Sequence, residues 1–172
     1  ITGSPHAGLV ELHVSNVGEK SHELGLARVK DGVSLDQVKS ALKQGEAAAR
    51  ALQVDPDTEI TSAGIVGPHV NEQVVVPLVA GHYVVTSFLP VSAGATQVDR
   101  GMIGEFTVLA PAGTAAAAPA TDGQVTLTDS SITLPSGFAH GGTFEVKNTG
   151  TKPHDFNVAQ LSGQPLTDYF QW

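Results

Sequence analysis

The chain has 172 residues, 41% of them hydrophobic, with 17 acidic against 9 basic residues and a net charge of −8. That length holds one generous domain or two small ones. The excess of acid argues against a nucleic-acid backbone or an anionic membrane surface as partner, and the lack of any cysteine removes disulfides, thiolate metal sites and cysteine nucleophiles together. The longest apolar runs, 73–80 and 83–90, are strand-length and well short of the roughly 18 residues of a spanning helix, so no membrane insertion is expected.

In chain order, residues 8–15 (GLVELHVS) alternate with period 2, which predicts a strand with Val10, Leu12 and Val14 inward. A turn follows over Asn16 to His22, where Asn and Gly tolerate positive φ, and then a second strand over 23–29. Residues 34–54 change period. Leu35, Val38, Leu42, Ala49 and Leu52 recur at helical spacing, Ser34 and Gln37 form a capping box, and Asp55-Pro56 stops the run. This predicts an amphipathic helix, interrupted near Gly45, that covers an exposed sheet edge. Residues 60–68 (ITSAGIVGP) predict a Gly-rich loop, and 73–78 a strand running into the turn at Val79-Ala80-Gly81.

Residues 81–108 combine an apolar strand at Tyr83, Val84 and Val85, a loop containing Pro90, Gly94 and Gly101, and a closing strand over 105–108. Strand parity puts Tyr83, Val85 and Ser87 on one face, with Ser87 inward as a small residue needing a hydrogen-bond partner. An Ala/Pro-rich linker over 111–122 precedes a further strand predicted at 124–134.

The chain then repeats itself. VELHVSNVGEKSHELGLARV at 10–29 recurs as GTFEVKNTGTKPHDFNVAQL at 142–161, so Asn16, Gly18, Lys20 and His22 match Asn148, Gly150, Lys152 and His154. Two copies of one supersecondary unit predict two domains of one family. The first spans 1–110 with a helical insertion at about 34–54, and the second, at 123–172, is incomplete. Half a sandwich leaves strand edges unpaired. The expectation is therefore a fragment or processed form of a longer tandem protein, or a protein partner or neighbouring subunit that completes the second repeat. Strands from 124–161 adding to the first copy would be one form of such completion.

These motifs resemble the cupredoxins, the blue-copper fold of plastocyanin and azurin. Gly81 and Tyr83 match the G-x-Y-x-x-x-C strand, Ser87 stands where the cysteine would, and Met102 matches the axial methionine of a G-M pair. His22, in an N-x-G-x-x-x-H segment, matches the first copper ligand, and no histidine lies between Ser87 and Met102. The resemblance implies an all-β, cupredoxin-like Greek-key β-sandwich with an inserted helix, plus a partial second copy of the same fold. It also implies a copper pocket that has lost its thiolate and second imidazole, without which no type 1 site forms.

Candidate metal residues are accordingly His22 and Met102, with His154 as the counterpart in the second copy. The plainer assignment has Met102 capping the core and His22 bonding a turn carbonyl. His6, His13, His69, His82 and His140 are scattered, without H-x-H or H-x-x-x-H spacing, and H-x-H motifs for a multicopper oxidase are absent. No G-x-S-x-G elbow, phosphate loop or H-E-x-x-H occurs, and His82 and Ser87 fall on opposite strand faces, so no enzyme is expected. The reading is a non-enzymatic, exported binding or structural module, extracellular or at the cell surface, with no cofactor expected. Its alternative is a copper-binding or electron-transfer protein with a non-blue site on His22 and Met102. Export rests on low lysine, abundant Ala, Gly, Thr and Val and the Ala/Pro linker. Residues 1–8 show no basic and apolar signal pattern, so an exported chain would be a mature or trimmed form.

Overall fold

The computed structural model describes residues 2–56, 60–114, 116–158 and 163. Its strands are β1 (Gly8–Ser15), β2 (His22–Val29), β3 (Ile60–Val66), β4 (Asn71–Leu78), β5 (Gly81–Thr86), β6 (Pro90–Ser92), β7 (Ala95–Thr96), β8 (Ile103–Val108), β9 (Gly123–Thr128), β10 (Ser131–Thr133) and β11 (Phe144–Asn148). Two helices, α1 (Leu35–Gln44) and α2 (Glu46–Arg50), lie between β2 and β3. The fold is thus all-β with a small helical insertion.

The alternation read from residues 8–15 holds at Val10 and Leu12, while Val14 lines an open cleft with Asn71 and Gln73 instead of the core. β1 pairs antiparallel with β4 over eight residues without a register shift, and Val10 and Leu12 point with Val74, Val76 and Leu78 into one core. Across from this pair lies a four-stranded sheet in the order β3-β2-β5-β8. It contributes Leu26, Tyr83, Val85 and Val108 to the same core. Tyr83 sits at the centre with 0% of its surface exposed. Its ring stacks on Phe106 at 5.3 Å, and its hydroxyl donates to Val79 O at 3.1 Å while accepting from Val79 N at 3.3 Å. A buried phenol needs such a polar tether, and this one ties the β4–β5 turn to the core.

The helix forms for the reasons legible in its sequence. Ser34 Oγ accepts from Gln37 N, and Gln37 Oε1 accepts from Ser34 N at 2.8 Å, which completes the capping box. Gly45 at φ 114° breaks α1 from α2. Its position differs from expectation. Val38 packs with Val29 and Val84, joined by Leu35, Leu42, Leu52 and Ile103, so α1 covers the outer face of the four-stranded sheet rather than an edge. The run Tyr83-Val84-Val85 explains this, because odd positions fill the sandwich core and Val84 fills the core under the helix.

Two further expectations are corrected. Residues 60–66 form strand β3, paired antiparallel with β2 and offset by a bulge between Glu23 and Gly25. The glycine content suggested a loop, but an edge strand needs only its backbone for pairing. Residues 124–134 form a hairpin rather than one strand: β9 and β10 pair antiparallel around Asp129 and Ser130. β9 also pairs parallel with β11, so these strands build their own three-stranded sheet, and the stretch meets the first sheet at Asn157, whose Oδ1 accepts from Ile65 N of β3 at 3.3 Å. Residues 159–161, the end of the stretch expected to add to the first copy, lie outside the described residues.

Tyr83→Phe removes both bonds to Val79 while keeping the ring. It should cost about 1–1.5 kcal/mol, the net worth of such a hydrogen bond, read as a lower urea midpoint with an unchanged slope.

Candidate functional site

The loop end of the first sandwich is built on Asn16, buried at the close of β1. Its Oδ1 accepts from Gly18 N at 2.9 Å, and its Nδ2 lies 2.7 Å from Lys20 O, 3.0 Å from Val66 O and 2.9 Å from Gly67 O. One amide therefore shapes the turn that delivers His22 and pins it to the β3–β4 turn. The same local pair of bonds occurs at Asn148, where Oδ1 accepts from Gly150 N at 2.9 Å and Nδ2 donates to Lys152 O at 2.7 Å.

His22 opens β2 with its Nδ1 2.7 Å from Gln97 Oε1. The same oxygen accepts from Ser87 Oγ at 2.7 Å. The Gln97 amide nitrogen donates to Ser21 O at 2.9 Å, and Ser87 Oγ accepts from Glu23 N at 3.0 Å. Ser87 is 1% and Gln97 6% exposed. The carboxamide oxygen thus receives two donors, which fixes the proton of His22 on Nδ1, since a bare Nδ1 would face another acceptor. Among the described residues, no buried side-chain nitrogen or oxygen lacks a hydrogen-bond partner.

The chain holds Gln97 firmly. Its N–H donates to Leu89 O at 2.9 Å, and its own carbonyl accepts from Arg100 N and Met102 N at 3.0 and 3.1 Å, closing the one-turn 3₁₀ segment 98–100 on the left-handed Gly101. Asp99 accepts from the backbone N–H of Thr96 and from its hydroxyl. These bonds hold its carboxyl below the usual range, the backbone bond most of all, with Arg100 adding to them. Met102 in turn accepts at its carbonyl from Ser87 N at 3.4 Å.

Ser87 is inward, as parity predicted. His22 bonds the side chain of Gln97 rather than a turn carbonyl. Met102 is 38% exposed, so it does not cap the core. Gln97 is the residue that reasoning from sequence missed: it lies between Ser87 and Met102, an interval that holds no histidine. His154 stands apart from this site, with its Nε2 3.1 Å from Asp129 Oδ1 in the second sheet.

Copper is the group a cupredoxin-like frame implies, and the residues present do not fit it. The inward donors are a hydroxyl, a carboxamide oxygen and one imidazole, and the first two are hard neutral oxygens where a soft thiolate and a second imidazole are needed. The imidazole nitrogen that faces them is already bonded to Gln97. Among the described residues no three His, Cys, Asp or Glu side chains converge.

No family model matches the sequence, and no curated protein matches it. Among solved structures, reduced auracyanin from Roseiflexus castenholzii is similar at 20% identity, covering 60% of this chain and 79% of its own, with a TM-score of 0.39. Auracyanin B matches at 21% identity over 60% and 73%, with the same TM-score. Lac15 from a marine microbial metagenome matches at 13% identity over 73% and 26%, at 0.33. These likenesses are loose, and the sandwich is defined by its own strand pairing and cores.

Gln97→Ala strips partners from Ser21 O, Ser87 and His22 at once. It should destabilise the chain by about 2–3 kcal/mol, more than Ser87→Ala at about 1–2, given the cost of unpartnered buried polar groups; urea unfolding of the two variants orders them. In the second unit, bonds from Thr151 and then His154 lower Asp129 from 3.8 to about 2. A lowered carboxylate stabilises fully above its unfolded value and loses that contribution as pH falls through its folded one. Protection of the Thr151 amide should therefore persist at pH 4 and fade towards pH 2, and Asp129→Asn should flatten that dependence.

Proposed function

We propose that this chain is an exported, non-enzymatic cupredoxin-like module that works by contact, as a binding or structural unit, without a type 1 copper site. The observation that carries the reading is the closure of the inner pocket: Gln97 Oε1 takes up the inward-facing donors of both His22 and Ser87. A pocket whose polar atoms bond one another offers neither an open ligand position nor an activated nucleophile. Ser87 gives its proton to a carboxamide, which is no base.

The rim of that end favours contact. Val17, Val70, Phe88 and Met102 are exposed apolar residues, Val17 at 83%, and each lies in a connection at the end of the sandwich where β1, β3 and β5 finish and β2, β4 and β8 begin. Apolar loops around a rigid frame suit a protein partner more than a charged ligand. Export is supported by the composition, with only 9 basic residues, and by the Ala/Pro linker.

The matching bonds at Asn16 and Asn148 support a duplicated unit. His154 heads the second copy's turn as His22 heads the first, and its Nε2, like that of His22, lies over the turn glycine. The tandem arrangement is thus part of the proposal, with the first copy holding the closed pocket.

Calorimetric titration with Cu(I), Cu(II) and Zn(II) tests the reading. Wild-type protein should show no tight stoichiometric binding. Tight uptake lost in His22→Ala would replace this proposal with a non-blue metal site on His22 and Met102. The double variant Ser87→Cys with Gln97→His should gain Cu(II) binding and intense visible absorption, because it restores a thiolate and an imidazole beside His22.

A further inference from the structure

β5 runs through the middle of the four-stranded sheet, so its residues alternate between the sandwich core and the outer face that α1 covers. Tyr83 and Val85 fill the core, and His82 shares the outer face with Val84. Glu105, opposite Val84 on β8, lies on that face too. The His82 ring stands between two oxygens. Its Nδ1 is 3.1 Å from Val33 O, in the connection that leads into α1, and its Nε2 is 3.0 Å from Glu105 Oε2.

Both oxygens are acceptors with no proton to give, one a main-chain carbonyl and the other an ionised carboxylate. A neutral imidazole carries one N–H, so it completes one of these bonds and turns a lone pair on the other oxygen. The doubly protonated ring completes both. His13 also has a partner at each nitrogen, but there Gln73 Nε2 is a donor, which suits the neutral ring.

We infer that His82 is a pH-sensitive fastener for the helical cover: with both nitrogens protonated it ties the entry of α1 to β8 across the outer face, and loss of one proton releases one tie. The carboxylate is the stronger acceptor, so Nε2 keeps its proton and the bond to Val33 is the one released. What loosens is therefore the connection into α1, while the β5–β8 pairing stays. The charge that faces the ring from β8 is Glu105, and β2 presents Val29 opposite it. The insertion presents the Val33 carbonyl. Its charged side chains are turned elsewhere: Lys30 Nζ lies on Ala51 O at 2.7 Å, Asp36 pairs with Lys39 at 3.7 Å, and Asp31 and Lys43 are exposed. The side chain of His82 is 25% exposed, which lets solvent deliver and remove the proton. Because the charged ring makes both bonds, the fastening is complete on the acid side and is lost as pH rises through the range where histidine side chains change charge, roughly pH 5 to 8. The fastener uses neither His22 nor Gln97, so it stands apart from the closed pocket.

Amide hydrogen exchange of the full chain, corrected for intrinsic rates, tests this. The α1 amides from Val38 to Leu42 should lose about threefold to tenfold in protection between pH 5 and pH 8 relative to the β2–β5 ladder, the net worth of one hydrogen bond. The ¹⁵N shifts of the His82 ring should report loss of its second proton over the same range. His82→Phe should abolish the dependence and leave α1 at its alkaline level of protection at both pH values. If that variant does not fold, Glu105→Gln serves in its place: it removes the charge beside the ring and should move the change in α1 to lower pH. A constant ratio between pH 5 and pH 8, the same loss in a folded variant, or a His82 ring already neutral at pH 5 would overturn the inference.

Discussion

One carboxamide oxygen holds the loop end of the first sandwich together. Gln97 Oε1 receives hydrogen bonds from the imidazole at the start of β2 and from the hydroxyl that follows β5, while its nitrogen reaches back to Ser21. The side chain joins the Ser21–His22 turn to the loop that follows β5, segments 75 residues apart between His22 and Gln97. Because the group is 6% exposed, water does not compete effectively for its lone pairs. The His22 ring and the Ser87 hydroxyl take their positions from that closure, while the turn at Asn16 and the 3₁₀ segment at 98–100 are held by their own local bonds.

The sandwich beneath it was largely legible. Period-2 alternation located β1, the capping box and Gly45 located the helices, and parity placed Tyr83 and Ser87 inward. What sequence reasoning lost follows from what its patterns encode. A helical apolar stripe states that a partner face exists without naming it, and the partner proved to be the outer face through Val84 and Val29. β3 was hidden because Gly64 and the small residues around it carry turn propensity, whereas an edge strand is decided by the neighbour that needs pairing.

Gln97 was hidden for a different reason. A search framed by metal ligands asks for imidazole or thiolate, and a glutamine satisfies neither. Its signal was positional: a polar residue in the Ser87–Met102 interval, with the inward Ser87 needing a hydrogen-bond partner. The comparison of the two repeated turns shows the complementary lesson. The Asn-x-Gly bonds are local and recur at Asn148, while the partner of each histidine comes from distant chain, Gln97 in one case and Asp129 in the other. Local sequence specifies the turn, and tertiary placement decides what the imidazole does.

The protonation of His22 reports on this closure most directly. Long-range ¹⁵N NMR of the neutral imidazole should show the proton on Nδ1, with the ring nitrogen responding to Gln97→Ala. A neutral ring protonated on Nε2, or nitrogen shifts indifferent to that substitution, would show that Gln97 does not close the pocket and would contradict the account.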